Sequence, residues 1–197
     1  MHEVARRYLE ALDEVDRHMQ AIAPDQWRNP TPCTEWDLRA LVDHVVYETL
    51  WLPDLVAGKT LAEVGDRYEG ERLGDDPLGA WNAARSAAVD GISGSSLDVP
   101  VHTSAGETTA DDYLAEMLFD ASIHGWDVAR AIGIDHLIPD DVARDLTAWL
   151  APQVEEWIAA GIVAPPIEVG DDVDPPTRLI ALTGRNPQWP GVGQSGP

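Results

Sequence analysis

Tyr113–Gly133, YLAEMLFDASIHGWDVARAIG, is the stretch whose reading decides the fold. Leu114, Met117, Leu118, Ala121, Gly125, Val128 and Ile132 recur at the i, i+3, i+4, i+7 spacing of a helix with one core-facing stripe. Thr109 with Asp112 three residues on predicts its N-cap, and Gly133 its stop. Along one edge of the stripe lie Asp120, His124 and Asp127. Side chains three and four apart on a helix are neighbours, so Asp120 and His124 can aim a carboxylate and an imidazole at one point, with Asp127 within reach of the same ring. A helix presents two metal ligands in this way. A hydrogen-bonded structural histidine gives the same pattern, so the decision falls to the rest of the chain.

Upstream, the spacing predicts a second helix from Glu35 to Leu52, burying Leu38, Leu41, Val42, Val45, Thr49 and Leu52, with Thr34 and Asp37 as its capping box and Pro53 as its end. His44 lies on the edge of that stripe and Glu48 one turn below it. Two helices thus each bring an imidazole and a carboxylate to the core margin, the way His and carboxylate metal sites are built inside helical bundles. Cys33 stands just before the cap. A thiol there can be activated as a nucleophile, but no basic or His partner adjoins it, and the reading is a small residue packed under the turn.

The other elements frame this pair. A first helix is expected over Glu3 to Ala23, with Val4, Tyr8, Ala11, Leu12, Val15, Met19 and Ile22 inward, Pro24 closing it, and His18 at its surface or end. After Pro53 comes a long Gly- and Asp-rich crossover with one helical turn near Thr60–Val64. Asp76-Pro77 then opens a third helix to about Ile92. LDVPVHTSAGETTADDY alternates and turns like a short hairpin, with His102 exposed. The last long helix should run from Asp140 to Ala160, kinked at Pro152, before an irregular segment and the short apolar element TRLIALTG. The fold class is therefore all-α: a four-helix bundle with a long crossover, a short β-hairpin and an irregular C-terminal tail. A single domain is expected over residues 1–186, with a flexible tail over 187–197.

Composition narrows the function. The chain has 197 residues, 44% of them hydrophobic and eight of them Trp, enough for one core. A net charge of -22 excludes nucleic acid and anionic membrane as partners, because both are bound through basic patches, and it favours cations. The lone cysteine excludes an internal disulfide and Cys-rich metal sites. No signal region or membrane-spanning run is read, so the expected compartment is the cytoplasm. Trp residues on helix edges would suit a homodimer.

Three blocks taken in order, TPCTEWDLRALVDHVV with ETLWLPDLVAGKTLAEVGDRYEG, then IHGWDVARAIG, then PPIEVGDDVDPPTRLIALTGRNP, resemble an actinobacterial group of metal-binding proteins. That group is related to the N-terminal domain of mycothiol-dependent maleylpyruvate isomerase, within the DinB/YfiT-like superfamily of four-helix bundles. The resemblance implies a divalent metal, zinc first with nickel or iron as alternatives, held by His44, Asp120 and His124. The isomerases usually have Glu where Asp120 stands, and they carry a C-terminal substrate-binding domain of which only a short tail is read here.

Two His and one Asp leave a coordination position open on a tetrahedral ion, as in catalytic sites. The leading expectation is accordingly a metal-dependent enzyme that activates a low-molecular-weight thiol, such as mycothiol, for transfer to or isomerisation of a small electrophilic substrate. Glu48 or Asp127 would orient an imidazole or accept the proton. Metal-assisted hydrolysis through the same ligands is the second enzyme reading. A non-catalytic metal- or ligand-binding bundle is the reading from another class.

Overall fold

The computed structural model describes residues 2–191. In chain order these form α1 (Glu3–Ala21), α2 (Leu38–Val56), the single turn α3 (Leu61–Val64), α4 (Pro77–Gly94), β1 (Val101–Thr103), β2 (Gly106–Thr108), α5 (Ala110–Ile132), α6 (Asp140–Leu150), α7 (Val154–Ala159) and α8 (Pro175–Leu182). α1, α2, α4 and α5 make the expected four-helix bundle: α5 packs on α1 and α2, and α4 closes the ring against both. The crossover between α2 and α4 contains α3, whose Thr60 and Glu63 form a capping box. β1 and β2 pair antiparallel as the short hairpin, with Val101 buried.

α5 forms where its periodicity and caps predict. The Thr109 side chain accepts from the Asp112 N–H, and Gly133 takes the left-handed C-cap at φ 78°. It is buried on more than one stripe, since Phe119, Ser122, Ile123, Asp127 and Ala129 are buried as well. A helix hydrophobic nearly all round belongs at the centre of a bundle, and this one touches two long helices and the segments after it.

Four local expectations need correction. α2 begins at Leu38, with Asp37 as the cap that accepts from Ala40 N–H, because the preceding residues fold into their own turn. There the Thr31 hydroxyl bonds the Cys33 and Trp36 carbonyls and Thr34 is exposed. Pro53 does not end α2, which runs on to Val56. Its missing N–H removes one bond near the C-terminus, while Leu52, Leu55 and Val56 are buried in return. Gly91 of α4 admits the Pro53 ring: a Cβ there would lie 2.8 Å from both its Cα and its Cβ.

At Pro152 the last helix is broken rather than kinked, leaving α6 and α7 as separate pieces. Finally, His18 is not at the surface. It is buried against α5 and the connector that follows.

The C-terminal part is also more regular than an irregular tail. α8 packs on α6 with Leu179 and Ile180 in the core. Of the tail expected over 187–197, residues 192–197 lie outside the described residues. Within 187–191, the Trp189 carbonyl accepts from Arg130 and Gly191 sits against the Arg130 backbone. Of the eight Trp, Trp81 is buried and the other seven are partly exposed. No described helix is long and apolar enough to cross a membrane.

Candidate metal centre

α2 and α5 bring His44, Asp120 and His124 together, and one ligand atom from each lies within 4.8 Å of the others. The Asp120 Oδ1 is the hub, 3.2 Å from His44 Nε2 and 3.5 Å from His124 Nε2. The two imidazoles meet edge to face with centroids 4.8 Å apart. Trp36, on the turn before α2, covers both rings at 4.7 and 5.8 Å.

Burial pushes the Asp120 carboxyl up, but the charge of His124 and the hydrogen bond from His44 outweigh it and hold the carboxyl below the usual range. Burial likewise pulls His44 down, and Asp120 more than reverses this, leaving the imidazole raised. A raised imidazole beside a depressed carboxylate favours a proton on His44, which a cation bound there would displace.

The other nitrogen of His124 is fixed from behind. Its Nδ1 lies 3.0 Å from Asp127 Oδ2, within the reach that the i, i+3 spacing provides. Asp127 is fully buried, and Arg185 holds it through Nε at 2.9 Å from each carboxylate oxygen and a second nitrogen at 2.9 Å from Oδ2. Against the cost of burial, the Arg185 charge and the His124 hydrogen bond keep the Asp127 carboxyl depressed. An imidazole tied this way at Nδ1 turns Nε2 toward the shared point, the second-layer arrangement that orients metal-binding histidines.

Arg185 reaches the site because Gly184 ends α8 at φ +76°. A Cβ on that glycine would come within 2.5–2.8 Å of Ala164, so the chain can turn Arg185 inward only with glycine there.

In front of the three residues lies a cavity of about 380 Å³. Glu48, Glu116 and Cys33 line it with Trp36, while Phe119, Met117 and Trp157 give it apolar walls. Burial and the neighbouring Asp120 push the Glu48 carboxyl up to about 7, so it exchanges a proton near neutrality. The Cys33 thiol is raised by burial and stays protonated.

The structure thus groups His44, Asp120 and His124, sets Glu48 on the cavity wall, and puts Asp127 behind His124, away from the cavity lining. Sequence reasoning passed over Trp36 and Arg185. The signal for Trp36 was an aromatic in the turn that starts a ligand-bearing helix. For Arg185 it was the glycine directly before it.

Compared with known proteins, residues 8–129 match the family model described as the mycothiol maleylpyruvate isomerase N-terminal domain. No curated protein and no solved structure matches the chain. The matched residues span more than half of the chain and include all three grouped residues and Asp127, so the chain belongs to that family, and its all-α bundle is the DinB-like fold the domain implies.

Proposed function

We propose that this member of the mycothiol maleylpyruvate isomerase N-terminal domain family binds one divalent metal, zinc by preference, at His44, Asp120 and His124. There it activates a low-molecular-weight thiol toward a small electrophile, for transfer or isomerisation. The observation that carries this reading is the cavity itself, with three converging donors on one side and a carboxyl poised near neutrality on another.

The donor set suits a borderline-soft ion. Two imidazole nitrogens and one carboxylate oxygen are the composition of open zinc sites, with the cavity on the remaining side. Asp120 is a methylene shorter than Glu, yet its Oδ1 already lies within 3.5 Å of both imidazoles. When bound there, such an ion supplies charge that lowers the pKa of a thiol or water and stabilises the resulting anion.

The chain's own residues do the rest. Trp36 shields both imidazoles from water, and Asp127 with Arg185 holds the His124 ring in one orientation. The Glu48 carboxylate takes the proton from the incoming thiol and returns it to the carbon that gains electron density when sulfur adds to the electrophile. Cys33 lines the cavity, but it is outside the group of converging ligands and burial raises its thiol. The thiol arrives with the small-molecule substrate.

The test is elemental analysis of untagged protein purified without chelators, beside His44→Ala and His124→Ala, followed by a screen of electrophiles with and without added thiol. About one equivalent of metal at this centre, lost in either variant, and turnover that needs both metal and thiol are expected. Full turnover in metal-free protein overturns the reading. Turnover that ignores added thiol overturns its thiol half and leaves metal-assisted hydrolysis.

A further inference from the structure

One residue beyond His124, Gly125 faces α1 and the α5–α6 connector. A Cβ there would lie 2.8 Å from His136 Cε1 and 3.0 Å from Val15 Cγ2, so the glycine makes the space in which the His136 ring sits. The ring lies against His18 of α1, with centroids 5.0 Å apart. Glu14, one turn before His18, directs Oε1 at both: 3.3 Å to His18 Nε2 and 4.0 Å to His136 Nδ1.

We propose that Glu14, His18 and His136 form a second divalent-metal site, of the zinc class, which fastens the α5–α6 connector to α1. One ligand atom from each lies within 4.8 Å of the others. Both histidine side chains are only 3% exposed. The Nδ1 of His136 has no hydrogen-bond partner, and it is the atom turned toward Glu14. A buried polar nitrogen left unpaired is costly unless something outside the chain's own hydrogen bonds satisfies it.

Exposed Arg17 pairs with the other oxygen of Glu14. A cavity of about 220 Å³ lined by Glu14 and His136 gives room for a water as the remaining ligand. This site shares no ligand with His44, Asp120 and His124, and it stands whether or not that centre is catalytic.

The experiment removes the first centre. Untagged His44→Ala/His124→Ala protein, stripped with chelator and dialysed, is titrated with Zn2+ alone while stoichiometry and melting temperature are followed. It should take up one equivalent and melt at a higher temperature with Zn2+. Adding either Glu14→Gln or His136→Asn should abolish both effects. No zinc bound by the parent overturns the proposal, as does an equivalent that survives both added substitutions. Should the double variant fail to fold, wild type is compared with Glu14→Gln alone: two equivalents falling to one supports the site, and equal stoichiometry overturns it.

Discussion

Arg185→Met removes the guanidinium that meets both oxygens of Asp127 and leaves an uncharged thioether that ends near the Nε position. Asp127 has no exposure, and the Arg185 side chain is 10% exposed. The three contacts at 2.9 Å are therefore made out of water. Breaking a buried pair from one side leaves an uncompensated charge and costs about 3–5 kcal/mol. That is a large part of the ~5–15 kcal/mol by which a domain of this kind is stable.

Asp127→Asn leaves Arg185 stranded instead and should cost a comparable amount. The double variant strands nothing, so it should be more stable than the sum of the two losses predicts, and urea unfolding of the metal-free proteins gives the cycle. The centre should respond too. With Arg185 gone, Asp127 no longer has one fixed orientation, the His124 ring loses its stop, and zinc affinity should fall about 10–100-fold although every ligand is intact. An Arg185→Met protein that loses less than about 1 kcal/mol, a value typical of exposed pairs, and binds zinc as wild type does would refute the view that Arg185 supports the centre through Asp127.

Glu48→Gln should keep the metal content of the wild type while turnover falls by about 10²–10⁴-fold, the range for loss of a general acid–base group; loss of the metal as well would make Glu48 a ligand. Asp54 anchors the crossover by accepting from Lys59 at 2.6 Å, Tyr68 at 2.8 Å and Arg67. Burial raises its carboxyl, and those three partners more than offset this, so its folded-state pKa is depressed. Its stabilisation is then fully present above the unfolded carboxyl value of about 3.9 and vanishes as pH falls through the folded value. Asp54→Asn should cost about 1–2 kcal/mol at neutral pH, discounted because Lys59 and Arg67 are half exposed. A gap of the same size in strong acid would contradict the assignment. Gly184→Ala, which places a Cβ against the Ala164 backbone at positive φ, should cost more than about 1 kcal/mol and weaken zinc binding through Arg185; an unchanged urea midpoint would show that the turn relaxes freely.

α5 was legible from helical period, with Thr109 and Gly133 marking both ends; period also put His44, Asp120 and His124 at the core margin, but Glu48 and Asp127 fit the same pattern, and the set of three was what the family resemblance implied. The failures have local causes. Thr34 and Asp37 both fit an N-cap, and only the hydrogen bonds of Thr31 decide between them. Pro53 was read as a stop, since the glycine that admits its ring lies on another helix. His18 falls on the repeat of Ala11, Val15 and Ile22, and polarity masked what periodicity placed in the core. Arg185 and His136 come from short polar segments whose inward turn depends on Gly184 and Gly125, and nothing within those segments states what they will meet.

The tetrad HGWD therefore carries more than a pair of metal ligands. His124 faces α2 and the centre, while Gly125 receives His136 from the connector. Trp126 lies under the Arg130 guanidinium that holds the Trp189 carbonyl, and Asp127 binds Arg185 from beyond α8. One turn of the most buried helix thus meets four segments distant in sequence. Three of those contacts, through Gly125, Trp126 and Asp127, tie down the connector and the C-terminal chain. The residues after the matched family region are consequently part of what fixes His124, because without Arg185 the carboxylate behind its ring would be a buried charge with only an imidazole to meet it.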